Sequence, residues 1–361
     1  MSIQFYPIDH LPVGPVVGGR NMPHPVQGGG LRLTDYPISY SSGYVLNLSM
    51  YDNKKYLFGG SAAWAYGQVG FRESNIFDNS EWIFFGVECK IINLPVNLSS
   101  TSYPFTIMRI SDSVLGEQSG TVETSIFVFD YKDLGDFTVG DVFYLEMSMK
   151  IGPTADGIAK RWINGRRISD QHFIRAKELD LLTNRTAYFT LISNASFGYR
   201  NMYLAGDCLP NPVTKRIGPI SEQRLELEVV TSNDWTSNDG QTINEFLNRD
   251  ISNNTPYNQY IRTDSNASLK YKVVESNLPT LPIIGVVGVA GVHKDVGLGI
   301  TQNVNSSATT VLNKDNQMVL GTQPYLLNTI FGVNDFNKTV LDTTDILDLT
   351  IEHTFVVTDE D

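Results

Sequence analysis

The sequence predicts an all-β protein built as two β-sandwich (jelly-roll) domains. Three observations carry that prediction. Residues 143–151 alternate strictly: Phe143, Leu145, Met147, Met149 and Ile151 fall on one side, and Tyr144, Glu146, Ser148 and Lys150 on the other. That period of two marks a strand with one buried face. A Gly- and Pro-containing break follows, and residues 159–168 then carry Asn164-Gly165, a pair that tolerates the positive φ of a tight hairpin turn. Similar short apolar runs recur through the rest of the chain, separated by Gly, Asn, Asp, Ser and Pro clusters.

The 361 residues suit two domains, each long enough to bury a core. Hydrophobic content of 41% is ordinary, and charged content of 18% is low, so Asn, Ser and Thr must supply much of the polar surface. The net charge of −12 is uneven. Residues 1–215 hold 18 Lys and Arg against 20 Asp and Glu, whereas residues 216–361 hold 9 against 19. No basic run is present to displace the counterions of a nucleic acid, so a direct nucleic-acid partner is not expected. The apolar stretch 281–291 is too short and too rich in glycine to span a bilayer, so no membrane insertion is expected. The first residues lack the basic and apolar regions of a signal peptide.

Residues 1–30 contain Pro7, Pro12, Pro15, Pro23 and Pro25, then Gly28, Gly29 and Gly30, with no sustained period. They read as an extended arm that orders against a neighbour, or as a frayed terminus. The first sandwich is assigned to residues 31–215. Strands are predicted over 82–92, with Glu88 and Lys90 pointing outward, and over 105–110, 124–129, 187–192 and 199–204. Residues 172–182 could form a short helix. A linker is predicted near 207–220, where prolines and a change in charge break the pattern. The second, acidic β-sandwich is assigned to residues 216–361. Alternation resumes at 225–229 and recurs at 269–273 and 347–355. The stretch 281–300 is apolar and Gly-rich, its run 281–291 reads as a buried strand, and residues 242–248 add a helical turn.

The residues that could carry chemistry are few. A glycosidase needs two carboxylates on one face. Along a single strand only Glu226 and Glu228 have that spacing, on an amphipathic strand that reads as solvated, while Glu88 and Glu146 each stand alone. The histidines His10, His24, His172, His293 and His353 are scattered, and no nucleophile elbow, phosphate-binding loop or metalloprotease motif is present. His353 reads as a hydrogen-bonded packing residue. Cys89 lies on an apolar strand face and reads as a buried free thiol. With Cys208 as the remaining cysteine, no structural zinc site is expected. No catalytic residue and no cofactor is therefore assigned. Calcium is the exception kept open, because residues 78–81, with Asp78 and Glu81, and residues 130–136, with Asp130 and Asp136, offer loop oxygens. A sugar could stack on Trp64 and Tyr66, or on Trp162 beside Arg166. Packing of Trp162 inside the sandwich is the favoured reading, since large aromatics are usually buried.

The alternating strand, the break and the Trp162–Gly165 turn resemble the concanavalin A/laminin-G signature, and residues 199–204 resemble the closing strand of such domains. The order beyond them is similar to virion structural proteins of tailed bacteriophages. That order runs through the strand at 224–229, the Asp234, Trp235, Thr236 and Gly240 segment, the runs at 243–245, 260–262 and 269–271, then 289–295 and 347–352. Ser237 stands where the family motif would place a proline. The resemblance spans roughly residues 40–357. It implies a non-enzymatic virion component of the head, collar, tail or fibre, assembled in the host cytoplasm. Its partners would be other virion proteins and further copies of itself. Carbohydrate binding to host surface glycans is the alternative.

Overall fold

The structure, a computed structural model, describes residues 3–6, 8–9, 14–16, 45–60, 67–73, 82–93, 105–111, 124–129, 135–150, 157–168, 171–173, 186–193, 196–205, 216–249, 260–263, 265–280, 282–292, 299–306, 316–319, 325–332 and 340–356. The fold is all-β, as the alternation predicts. The main bodies of its two compact units are Leu31–Ser221 and Glu222–Asp361. Residues 216–221, assigned from sequence to the second domain, belong to the first unit.

In chain order the first unit contains β1 (Ile3–Tyr6), β2 (Gly14–Val16), β3 (Val45–Tyr51), β4 (Lys54–Gly60), β5 (Gly67–Glu73), β6 (Trp82–Asn93) and β7 (Phe105–Ser111). It continues with β8 (Thr124–Phe129), β9 (Val142–Lys150), β10 (Gly157–Ile163), β11 (Arg166–Arg167), β12 (Gln171–Phe173), β13 (Thr186–Ser193) and β14 (Ser196–Ala205). Among the described residues these make a ten-stranded sheet, ordered β11-β10-β9-β6-β14-β4-β3-β2, and a four-stranded sheet, β5-β13-β7-β8. Two short strands complete the larger sheet. β12 pairs with the start of β10, and β1 pairs with the end of β14, with Ile3 opposite Ala205. Within the expected N-terminal arm, β1 and β2 are therefore strands of the chain's own sheet, β1 on β14 and β2 on β3. His172, expected in a helix, lies in β12.

Two turns set the hairpins. Asn164 (φ 48°) and Gly165 (φ 77°) reverse β10 into β11, and Asp52 (φ 50°) and Asn53 (φ 60°) reverse β3 into β4. Both are two-residue turns with positive φ at each central position, the form that matches strand twist. Phe85, Val87, Cys89 and Ile91 of β6, with Phe143, Leu145 and Met147 of β9, form a buried apolar face. The opposite face differs from the expectation. Tyr144, Glu146 and Ser148 are buried as well, as is Lys90, which was expected to point outward.

The second unit contains β15 (Leu227–Asn233), β16 (Thr236–Ser237), α1 (Ile243–Asn248), β17 (Ile261–Arg262), β18 (Ala267–Val273) and β19 (Gly285–Val292). After these come β20 (Gly299–Ser306), β21 (Asn316–Val319), β22 (Tyr325–Gly332), α2 (Thr343–Leu347) and β23 (Leu349–Val356). Its five-stranded sheet runs β15-β18-β23-β20-β21, and β16-β17 and β19-β22 are separate pairs. The strand expected over 281–291 is observed as β19, which pairs with β22, while β20 pairs with β23. The core gathers Leu269, Tyr271, Val273, Leu341, Ile346, Leu349 and Ile351, with Trp235 packed against it.

α1 opens on a capping box in which Thr242 and Glu245 each accept from the other's backbone N–H. Its Asn244 and Asn248 side-chain oxygens accept from the N–H groups of Val229 and Leu227. The helix thereby satisfies part of the free edge of β15, which would otherwise offer a pairing template. Among the described residues no helix is long and apolar enough to cross a membrane.

Candidate functional site

Among the described residues, the second face of the large sheet gathers Glu88, Lys90, Tyr144, Glu146, Ser148 and Trp162. It is built by register. Across β6 and β9, Gly86 lies opposite Glu146 and Glu88 opposite Tyr144. Across β9 and β10, Glu146 lies opposite Trp162. Across β6 and β14, Gly86 faces Tyr203 and Glu88 faces Arg200, with a register shift between Arg200 and Tyr203. Asn201 occupies that irregularity at φ 48°, where an extra residue bends the strand and re-aims its neighbours.

Gly86 is what allows the face to close. A Cβ there would sit 2.1 Å from Cε1 of Tyr203. Without it the phenol ring lies across β6, and its hydroxyl donates to Oε1 of Glu146 on β9 at 3.3 Å. The same carboxylate oxygen accepts the Gly218 N–H at 2.7 Å. Arg216 Nη2 lies 2.5 Å from the other oxygen, Oε2, forming an ion pair off the line of a hydrogen bond. Nη1 of Arg216 also donates to the Gly165 carbonyl at 3.1 Å, and its guanidinium sits 5.8 Å from the centre of the Trp162 ring. Glu146 itself is 1% exposed.

A second cluster adjoins the first. Glu88 accepts from Tyr56 Oη at 3.0 Å and from Asn201 Nδ2 at 2.7 Å. Arg200 Nε lies 3.8 Å from Glu88, and its Nη2 lies 3.4 Å from Asp9. Lys55 donates to the Asp9 carbonyl at 2.6 Å, and Lys90 donates to Asp52 at 2.6 Å and to the Gly140 carbonyl at 3.1 Å.

Burial, then the nearby Glu88 charge, pushes the Tyr56 phenol well up. Burial also raises Tyr144 and Tyr203, with the Glu146 charge adding to both. The three phenols therefore stay protonated, and those of Tyr56 and Tyr203 donate to the carboxylates. The Cys89 thiol is pushed up by burial, which suppresses its thiolate. In the second unit, burial lowers His353 to about 4, so it is neutral near pH 7. It packs edge-on to Tyr271 at 5.5 Å, and its Nε2 has no hydrogen-bond partner among the described residues.

The sequence-named residues fall as follows. Trp162 is 6% exposed and covered by Arg216, so the packing alternative describes it. Arg166 is exposed at the β10–β11 tip. Trp64, Tyr66 and the calcium candidates Asp78, Glu81 and Asp130 lie outside the described residues, and Asp136 is exposed. Among the described residues no three His, Cys, Asp or Glu side chains gather as metal ligands would. Glu226 and Glu228 are exposed, with Glu228 paired to Lys272 at 3.2 Å.

The pair that the sequence reading missed is Glu88 with Glu146. They lie on neighbouring strands, diagonal across the ladder, where Cα atoms are about 7–8 Å apart. A search confined to spacings within one strand cannot find such a pair. Strand pairing between β6 and β9, 58 residues apart by Glu88 and Glu146 numbering, was the missing signal.

No protein-family model matches the chain, and no curated protein does. Solved structures with some likeness include an endo-β-1,4-glucuronan lyase from the fungus Trichoderma reesei. It is 10% identical, with a TM-score of 0.31, over 48% of this chain and 90% of that one. Alginate lyase vAL-1 from Chlorella virus is 14% identical with a TM-score of 0.27, over 45% and 88%. Lectin UEA-II, solved with galactose, is 8% identical with a TM-score of 0.22, over 46% and 87%. Likenesses at these scores carry no functional argument.

Proposed function

We propose that the protein is a non-enzymatic structural component of a tailed-bacteriophage virion, acting through protein–protein assembly. The segment order noted in the sequence motivates the virion setting. The structural observation that supports a scaffolding role is the fate of the polar face. Glu146 and Glu88, the carboxylates best placed for paired acid/base work, are spent on internal bonds. Glu146 is sealed by Tyr203, Arg216 and Gly218, and Glu88 is held by Tyr56, Asn201 and Arg200. A general acid or base must reach a substrate proton directly or through one water. Here the groups that would do so instead fix one strand arrangement, the rigid frame that an assembly component requires.

The experiment is quantitative mass spectrometry of gradient-purified particles, run beside a degradation assay of the purified chain on host-envelope polysaccharides. The expected result is a fixed number of copies per particle and no polysaccharide turnover. Absence from particles would remove the virion reading. Turnover abolished by Glu146→Gln or Glu88→Gln would replace it with a glycan-cleaving one.

A further inference from the structure

Residues 216–220 have no regular secondary structure, and none is fully buried, yet they hold to the first unit through a dense set of polar contacts. Arg216 reaches Glu146, the Gly165 carbonyl and the Trp162 ring. Gly218 donates its N–H to Glu146. The partners of this short loop are thus the buried side chains of the polar face, while the loop itself stays partly in water. Segments with few buried apolar contacts and solvent-accessible polar bonds belong to the low-stability end of a structure and open locally before the fold does. This segment also leads straight into the main body of the second unit, Glu222–Asp361.

We propose that residues 216–221 form a releasable strap over the buried polar face of the first unit, latched by Arg216 on Glu146. Opening uncovers Glu146, Tyr203 and Trp162. The ion pair makes the latch specific. Arg216 presents a planar fork and a flat cation, and its receptor supplies a carboxylate, a carbonyl and an aromatic face, which a lysine cannot match.

Hydrogen exchange on the full chain tests the strap. The variants are Arg216→Gln, Arg216→Lys and the isosteric Glu146→Gln. The expected result is exchange at Ile217, Gly218, Ile220 and Ser221 at least about tenfold faster in Arg216→Gln and Glu146→Gln. Arg216→Lys should be intermediate, and protection in β6 and β14 should be unchanged. Exchange in 217–221 that stays at the wild-type rate in Arg216→Gln overturns the proposal. So does loss of protection in β6 and β14 together with the strap, which would make the segment part of the core. If Glu146→Gln does not fold, Arg216→Gln decides alone, since it alters only the strap.

Discussion

At the scale of single residues, Gly86 is the position on which the buried polar face turns, because the Tyr203 ring occupies the space that any side chain there would need. Gly86→Ala should push the ring off Glu146 and destabilise the first unit by roughly 1–3 kcal/mol, the range for forcing extra carbon into a packed site. Denaturant unfolding followed by a probe in that unit measures it, and wild-type stability in the variant would show that the ring has room to move. His353 supplies a pH dependence with a definite sign. Its folded value of about 4 lies below the unfolded value of about 6.5, so between those values the unfolded chain binds more protons. Its contribution is complete above about pH 6.5 and is lost as pH falls toward 4, by about 3 kcal/mol in all. Asp52, Asp239 and Glu245 are held below the usual carboxylate values by hydrogen bonds from Lys90, Ser237 and Thr242 respectively. Their loss therefore falls below about pH 4. Stability of the second unit measured from pH 7 to 4.5 should decline in the wild type and flatten in His353→Phe. Equal slopes would remove His353 as the cause.

At the scale of elements, α1 works as an edge cover held by its first turn. Thr242→Ala removes the side-chain acceptor for the Glu245 N–H and should cost about 1 kcal/mol, read as a lower unfolding midpoint of the second unit. A double change of Asn244 and Asn248 to Ala should leave the helix cap intact but bare the edge of β15. The expected readout is concentration-dependent association in light scattering. Legibility in the sequence divides along the same line. β8 was readable with its observed bounds, and β9 and β10 from alternation and the Asn164-Gly165 turn, because those signals are local. The polar side of β9 was misread as solvated because its cover, residues 216–220, lies about 70 residues further along and carries no periodicity. The strand near 281–291 is legible as an apolar run, but such a run does not announce that β19 pairs with β22 while β20 joins β23. His172 was misplaced because a three-residue strand leaves no period to detect. Of the candidate sugar residues, Trp162 is legible as a packing residue from its size, and it is buried. The Arg216 that covers it had been placed in a linker.

At the scale of the whole molecule, the two units differ in how they use polar groups. The first buries Glu146, Lys90, Arg161 and Arg200 in bonded networks that specify one arrangement of a large sheet. The second buries His353 neutral beside Tyr271, buries Asp345 in a helix cap, and carries most of the chain's net negative charge. Excess acidity of that kind favours solubility and resists nonspecific association in a crowded particle. The central claim is that the chain serves as an assembled scaffold, and a density map of the intact particle tests it most directly. The account predicts density for the first unit's two sheets at a fixed, symmetry-related set of positions, in contact with neighbouring virion proteins or further copies of the chain. A map of complete particles with no such density, while the free protein cleaves a polysaccharide, would contradict it.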